Sequence, residues 1–320
     1  MGPRILLVIP ADAEAMARDM APPGFHLTIA APRTAEYQAA LPEADYLVGF
    51  VDMLVNDALY RAAPKLRLIQ LLSAGYDRAD LSAARRVGVP VANNGGANAV
   101  AVSEHALMLM LAVSRRLIRV HANVAAGRWR GNATPRIHEL RDRTLGIVGL
   151  GTIGKKTARL AAAFGMRLQY YDIARLSEDA EDALGVRFRL LRELLRTSDI
   201  VSLHVPLNAS TRGMIGAAEL ALMQPSAILI NTSRGSVIDE IALEDALAKG
   251  RLAGAGLDVF AEEPPPADHP LFRLDNVVLT AHLAGPTWES NIARLRNAFD
   301  NVQRVARGDA PLWVIPELSD

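Results

Sequence analysis

Short apolar runs alternate with helix-length polar stretches through the first hundred residues. The runs at 4–9, 25–30, 45–49, 67–72 and 89–92 are rich in Val, Ile and Leu and predict strands. Between them, 12–20, 34–41, 56–63 and 80–86 have helical composition and length. Strands that alternate with helices imply parallel βαβ units and an open, doubly wound sheet. Asn93-Asn94-Gly95-Gly96 interrupts the pattern, and one long helix is expected over 98–126, ending at Gly127. Val102, Ala106, Leu109 and Val113 recur at helical spacing in it. Leu107, Met108, Met110 and Leu111 make it apolar around much of its circumference, so it should be buried on several sides, against its own domain and a second subunit. The stretch 127–136 is basic and irregular, with Trp129 as the expected anchor.

The alternation then resumes. Strands are expected at 144–149, 167–172, 199–204, 227–231, 254–259 and 276–280, with helices at 152–164, 190–196, 217–223 and 239–249. The proline-rich stretch 262–270 can be neither helix nor central strand. A last helix is expected over 287–307, with Ile292, Leu295, Phe299 and Val302 as one apolar stripe.

Composition narrows the class. A chain of 320 residues can hold two domains, each with its own core. Lys+Arg and Asp+Glu are 35 each, which gives no electrostatic reason to expect nucleic acid or an anionic membrane as partner. The absence of cysteine removes disulfides, thiolate nucleophiles and cysteine metal sites together, and no metal is expected. Ile5 to Ile9 follows a single Arg and precedes Asp12 and Glu14, so it reads as a first buried strand rather than a signal-peptide core. Ser103, Glu104 and His105 interrupt the most apolar later stretch, which therefore does not span a bilayer. A cytoplasmic protein is the expectation.

One stretch carries a recognisable chemistry. After the apolar run Leu145, Ile147 and Val148 come Gly149, Gly151 and Gly154 at the G-x-G-x-x-G spacing, and then a strong helix former. In that context Gly149 permits the tight turn, Gly151 lets a pyrophosphate approach the backbone, and Gly154 lets the helix pack on the strand. Thr152 and Ile153 open the helix, whose free N–H groups suit phosphate. The next strand ends on Asp172, near the distance of the acid that accepts hydrogen bonds from a ribose and repels a 2′-phosphate. NAD is therefore expected over NADP, with Arg175 nearby as the residue that could oppose this.

Ligands of an open parallel sheet bind beyond the carboxyl ends of its strands. The polar residues there are Asp172, His204, Asn231 with Ser233 and Arg234, Asp258 followed by Glu263, and His282. Arg234, in Thr232-Ser233-Arg234-Gly235, can hold a carboxylate by two parallel charge-assisted bonds, and Gly235 permits close backbone approach. A carboxylate such as Glu263 beside an imidazole such as His282 favours the imidazolium, the form that donates a proton to a carbonyl accepting hydride.

With these residues in place the chain resembles the D-isomer-specific 2-hydroxyacid dehydrogenase family over nearly its whole length. The likeness runs through Ser73-Ala74-Gly75-Tyr76-Asp77, Asn98 to Ala106, the glycine loop, His204-Val205-Pro206-Leu207, Asn231 to Gly235, Leu257 to Phe260, Glu263-Pro264 and His282. Ala281, where proline commonly precedes the histidine, and Ser103, where alanine is common, depart from the pattern without removing a functional group. The resemblance implies an α/β protein of two doubly wound parallel-sheet domains. A Rossmann NAD-binding domain (98–285) would be inserted in a discontinuous flavodoxin-like substrate domain (1–97 and 286–320).

It further implies Arg234 as the group that binds and polarises a 2-oxo acid, His282 as acid/base, and Glu263 as its partner. Ser73, Ala74 and Gly75 would offer backbone N–H groups to the substrate carboxylate, and Asp258 would face the nicotinamide carboxamide. His204, Val205, Pro206, Thr232, Ser233, Ala284 and Gly285 would complete the cofactor contacts. The expected partners are a small 2-oxo or 2-hydroxy acid and a second copy of the chain, joined through 98–135. Met53, Tyr76 and Trp288 are candidates for the pocket wall. The resemblance leaves open a non-catalytic NAD(H)-sensing corepressor and a formate- or phosphite-type dehydrogenase.

Overall fold

The computed structural model describes residues 2–130 and 136–318. Its chain divides into two units, Met1–Asn98 with Pro286–Asp320, and Ala99–Gly285. In the first, β1 (Arg4–Val8), β2 (His26–Ile29), β3 (Tyr46–Gly49), β4 (Leu68–Leu71) and β5 (Val91–Ala92) form one parallel sheet in the order β2-β1-β3-β4-β5, the flavodoxin-like winding. Helices α1 (Glu14–Met20), α2 (Ala35–Ala40), α3 (Asp57–Ala62) and α4 (Leu81–Val87) connect the strands. Three of them start where a side chain can satisfy a free backbone N–H. Thr34 accepts from Tyr37 N, Asn56 from Leu59 N and Asp80 from Ala83 N.

The second unit starts with α5 (Ala99–Ser114) and α6 (Leu117–Ala125). The single helix expected over 98–126 is thus two helices. Arg116 adopts the left-handed conformation (φ 51°) and sends its Nη2 to the Ala253 carbonyl (3.0 Å), which offsets the strain of that turn. The expectation of burial holds for α5, most of whose residues are buried, but α6 buries none of its own. Nor is Trp129 an anchor, because it is 77% exposed. Residues 131–135 of the expected irregular stretch lie outside the described residues.

Then follow β6 (Thr144–Val148), α7 (Thr152–Ala163), β7 (Arg167–Tyr171), α8 (Glu178–Leu184), β8 (Val186–Phe188), α9 (Leu191–Thr197), β9 (Ile200–Leu203), α10 (Ala217–Leu220), β10 (Ile228–Asn231), α11 (Glu240–Ala248), β11 (Gly254–Leu257) and β12 (Val277–Leu279). All seven strands are parallel, in the order β12-β11-β10-β9-β6-β7-β8. That is the Rossmann winding with one more strand at its edge, and α8 and β8 are elements the sequence pattern did not announce. The chain ends through α12 (Trp288–Ala306), capped by Thr287. Its Leu295, Phe299 and Val302 pack on Ile5, Leu7, Tyr46 and Leu68 of the first unit. Among the described residues no helix is long and apolar enough to cross a membrane.

Candidate active site

The winding of the second unit reverses between β6 and β9, so the turns after these strands border the crevice where such sheets bind ligands. Gly149 follows β6 at φ 93°, and a Cβ there would come within 2.8 Å of the His204 carbonyl after β9. A Cβ on Gly154 would strike the Gly149 oxygen at 2.2 Å, so only glycine lets α7 lie this close to the turn. A Cβ on Gly151, by contrast, would meet nothing within 4 Å. The loop is tight behind and open in front, and α7 points its free N–H groups forward, as a dinucleotide pyrophosphate requires. Thr232 adds a buried Oγ1 with no hydrogen-bond partner among the described residues. The residues fit NAD, which supplies a hydride at its nicotinamide when bound.

Asp172, just past β7, accepts from Leu150 N (2.7 Å) and Ala174 N (3.0 Å), which ties it to the glycine loop. Arg175 is turned to other work. Its Nε bonds the buried Glu181 at 3.0 Å and its guanidinium lies 5.3 Å over the Phe188 ring. His204, partly buried, bonds Ser202 Oγ (2.9 Å), and burial pushes it down to about 4, so it is neutral at pH 7. Val205 and Pro206 follow it in the same loop.

Arg234, Glu263 and His282 come together at the ends of β10, β11 and β12. Asn231 shapes the first loop: its Oδ1 accepts from Ser233 N and Oγ, and its Nδ2 donates to the Arg234 carbonyl. A Cβ on Gly235 would overlap the Phe260 carbonyl carbon at 1.9 Å, so glycine lets this loop lie directly on the one that carries Glu263. Glu263 accepts from Phe260 N through Oε1 (3.1 Å) and meets His282 Nδ1 through Oε2 at 2.7 Å. Burial opposes its ionisation. The hydrogen bonds from His282 and Phe260, with the charges of His282 and Arg234, outweigh that and hold its carboxyl below the usual range.

His282 sits in the left-handed region (φ 54°), uncommon for a residue other than glycine. Asp258, for which the resemblance implies a place beside the nicotinamide carboxamide, also holds it there. Asp258 is wholly buried and its carboxylate accepts from Leu283 N and Ala284 N (both 2.9 Å) and from Thr280 Oγ1 (2.5 Å), while its carbonyl takes the His282 N–H (2.7 Å). Thr280 spends its one proton on Asp258, so His105, 2.9 Å away, must donate from Nε2. Burial pushes His105 below the ordinary imidazole range against the pull of Asp258, consistent with a neutral donor. The chain His105, Thr280, Asp258 thus pegs the loop 282–284 and leaves Gly285 at its end. Sequence reasoning missed this role because its members are up to 175 residues apart.

The remaining predicted residues lie in the first unit. Ser73, Ala74 and Gly75 follow β4, with Ser73 Oγ donating to the Gly75 carbonyl (2.7 Å) and Asn94 N to the Ser73 carbonyl (3.1 Å). Tyr76 gives its hydroxyl to Glu317. Arg78 makes two bonds to the buried Asp52 (2.9 and 3.0 Å). Met53 is 53% and Trp288 67% exposed, so neither is core.

A dinucleotide-type glycine turn and an imidazole–carboxylate couple with a guanidinium at the same sheet edge define a nicotinamide-dependent oxidoreductase. The comparisons with known proteins agree. Residues 107–284 match the model of the D-isomer specific 2-hydroxyacid dehydrogenase NAD-binding domain. The chain is 42% identical to a glyoxylate reductase of Korarchaeum cryptofilum, over 84% of this chain and 82% of that one. Among solved structures it resembles a glyoxylate reductase from Paecilomyes thermophila (TM-score 0.85, 30% identity, 99% of each chain). It also resembles D-lactate dehydrogenase from Aquifex aeolicus complexed with NAD and lactic acid (TM-score 0.84, 29% identity, 95% and 96% of the chains). The chain belongs to the D-isomer specific 2-hydroxyacid dehydrogenase family. It is an NAD-dependent oxidoreductase of 2-oxo and 2-hydroxy acids.

Proposed function

We propose that the enzyme reduces a small, unphosphorylated 2-oxo acid of the glyoxylate or hydroxypyruvate type to its D-2-hydroxy acid, with His282 as the proton donor. The 2.7 Å bond between His282 Nδ1 and Glu263 carries the reading. It fixes the ring and directs the other nitrogen, Nε2, away from the carboxylate, free to protonate the carbonyl oxygen as the carbon accepts hydride. Arg234 holds and polarises the 2-oxo acid. The backbone N–H groups of Ser73, Ala74 and Gly75 receive its carboxylate, and Met53, Tyr76 and Trp288 border its substituent. Asp258, besides pegging the His282 loop, faces the nicotinamide carboxamide. His204, Val205, Pro206, Thr232, Ser233, Ala284 and Gly285 line the cofactor.

The carboxylate of Asp172 and the engagement of Arg175 by Glu181 support a preference for NADH. Oxidation of NADH and NADPH by purified enzyme, followed at 340 nm against a panel of 2-oxo acids, tests both readings. Glyoxylate or hydroxypyruvate is expected to be reduced, with kcat/KM at least tenfold higher for NADH. Equal efficiency with the two cofactors would refute the preference, and no turnover of any 2-oxo acid would refute the function.

A second copy of the chain is proposed to cover α6. Leu117, Ile118, Val120 and Val124 are exposed there, and Val100 and Met108 continue the apolar surface on α5. Light scattering after size exclusion is expected to give twice the chain mass, and Ile118→Glu to halve it. A wild-type monomer at micromolar concentration would contradict this.

A further inference from the structure

The buried side of α12 carries a polar stripe. Asn301 Nδ2 donates to Gln70 Oε1 inside β4 (2.6 Å), and Asn297 Nδ2 donates to the Asn94 carbonyl (3.0 Å). Ala92 pairs with Gln70, so Asn94 is level with Leu72, two residues further along the sheet. Four helical residues rise about 6 Å and two strand residues about 6.6 Å. The helix therefore runs towards the carboxyl edge of the sheet as it is followed back to its start. Arg294 is the next member of the stripe. It lies roughly 4.5 Å further on, past the end of β4 and level with the loop of Ser73, Ala74 and Gly75.

Arg294 is 5% exposed. Its guanidinium lies 5.6 Å over the Phe50 ring and its Nη1 donates to Asn291 Oδ1 (3.1 Å), while Nε is buried without a hydrogen-bond partner among the described residues. Among the described residues no carboxylate pairs with it. Burial pushes it down to about 10, so it stays cationic at neutral pH. A buried, unpaired cation is costly to keep unless an anion completes it. Phe50 locates the charge. It follows β3, and in the order β2-β1-β3-β4-β5 the winding reverses between β1 and β3, the place where a doubly wound sheet opens a ligand crevice.

We propose that Arg294 receives a second carboxylate, at the far end of the 2-oxo acid from the one held by the 73–75 loop, so that 2-oxo diacids of four or five carbons are substrates of this enzyme. The inference rests on the reading of that loop as the carboxylate clamp. Phe50 and the loop follow neighbouring strands, which lie about 4.8 Å apart, a distance of the same order as that between the two carboxylates of such an acid.

Initial rates of NADH oxidation with glyoxylate, oxaloacetate and 2-oxoglutarate, for the wild type, Arg294→Met and Arg294→Lys, test it. The wild type is expected to reduce at least one diacid. In Arg294→Met the ratio of KM for that diacid to KM for glyoxylate should rise at least tenfold, and Arg294→Lys should recover part of the change. Should Arg294→Met fail to fold, Arg294→Lys alone must still raise the ratio measurably, because its ammonium lacks the planar fork. An unchanged ratio, or a wild type that reduces glyoxylate but no diacid, overturns the inference while the proposed function stands. A wild type inert towards every 2-oxo acid overturns the proposed function itself.

Discussion

His282→Ala is expected to lower kcat for 2-oxo acid reduction by about a hundredfold or more, the typical contribution of a positioned proton donor, while NADH still binds. The substitution also disturbs the backbone. His282 is held at φ 54° by Asp258, and alanine tolerates that region poorly. His282→Asn separates the two effects, because asparagine visits the left-handed region readily but cannot supply the proton. Both variants should lose activity to a similar extent, and normal turnover in His282→Asn would remove the imidazole from the mechanism.

The pH profile offers an independent check on the couple. Glu263 keeps its charge to lower pH than an ordinary carboxylate, so in the wild type the ion pair with His282 survives mild acid and is lost only as pH falls through the depressed Glu263 value. Glu263→Gln removes the one group of the couple whose ionisation sets that acid limit. The acid limb of kcat for reduction should therefore flatten in this variant, a change that a merely structural Glu263 would not produce.

How much of this could be read from the residues depended on how local the cause was. Helix starts were legible because the capping groups of Thr34, Asn56, Asp80 and Thr287 lie next to the apolar periodicity they introduce. The parallel strands were legible because burial on both faces leaves continuous apolar runs. The edge strand Val186–Phe188 was not, because it is three residues long and carries Arg187. The break between α5 and α6 was hidden for another reason. Neither Gly nor Pro marks it, and what makes Arg116 tolerable is a carbonyl 137 residues away. The site divides in the same way. Arg234, Glu263 and His282 stood out as ionisable residues at strand ends, whereas Arg294 looks like any cation on an amphipathic helix until its burial beside Phe50 is known.

Arg234→Lys is expected to raise KM for the 2-oxo acid by roughly ten- to a hundredfold, with a smaller loss in kcat. The estimate follows from the loss of one charge-assisted hydrogen bond, about 1.5–3 kcal/mol, where each 1.4 kcal/mol is tenfold. Lysine keeps the charge that helps hold Glu263 ionised, so the His282–Glu263 couple should survive and the pH profile should keep its shape. What lysine cannot reproduce is a planar fork delivered from a loop already fixed by Asn231 and pressed against Phe260 through Gly235. Measured at saturating NADH, an unchanged KM would mean that the 73–75 loop clamps the substrate carboxylate without help from Arg234. A collapse of kcat at constant KM would mean that Arg234 acts on the carbonyl in the transition state and contributes little to ground-state binding.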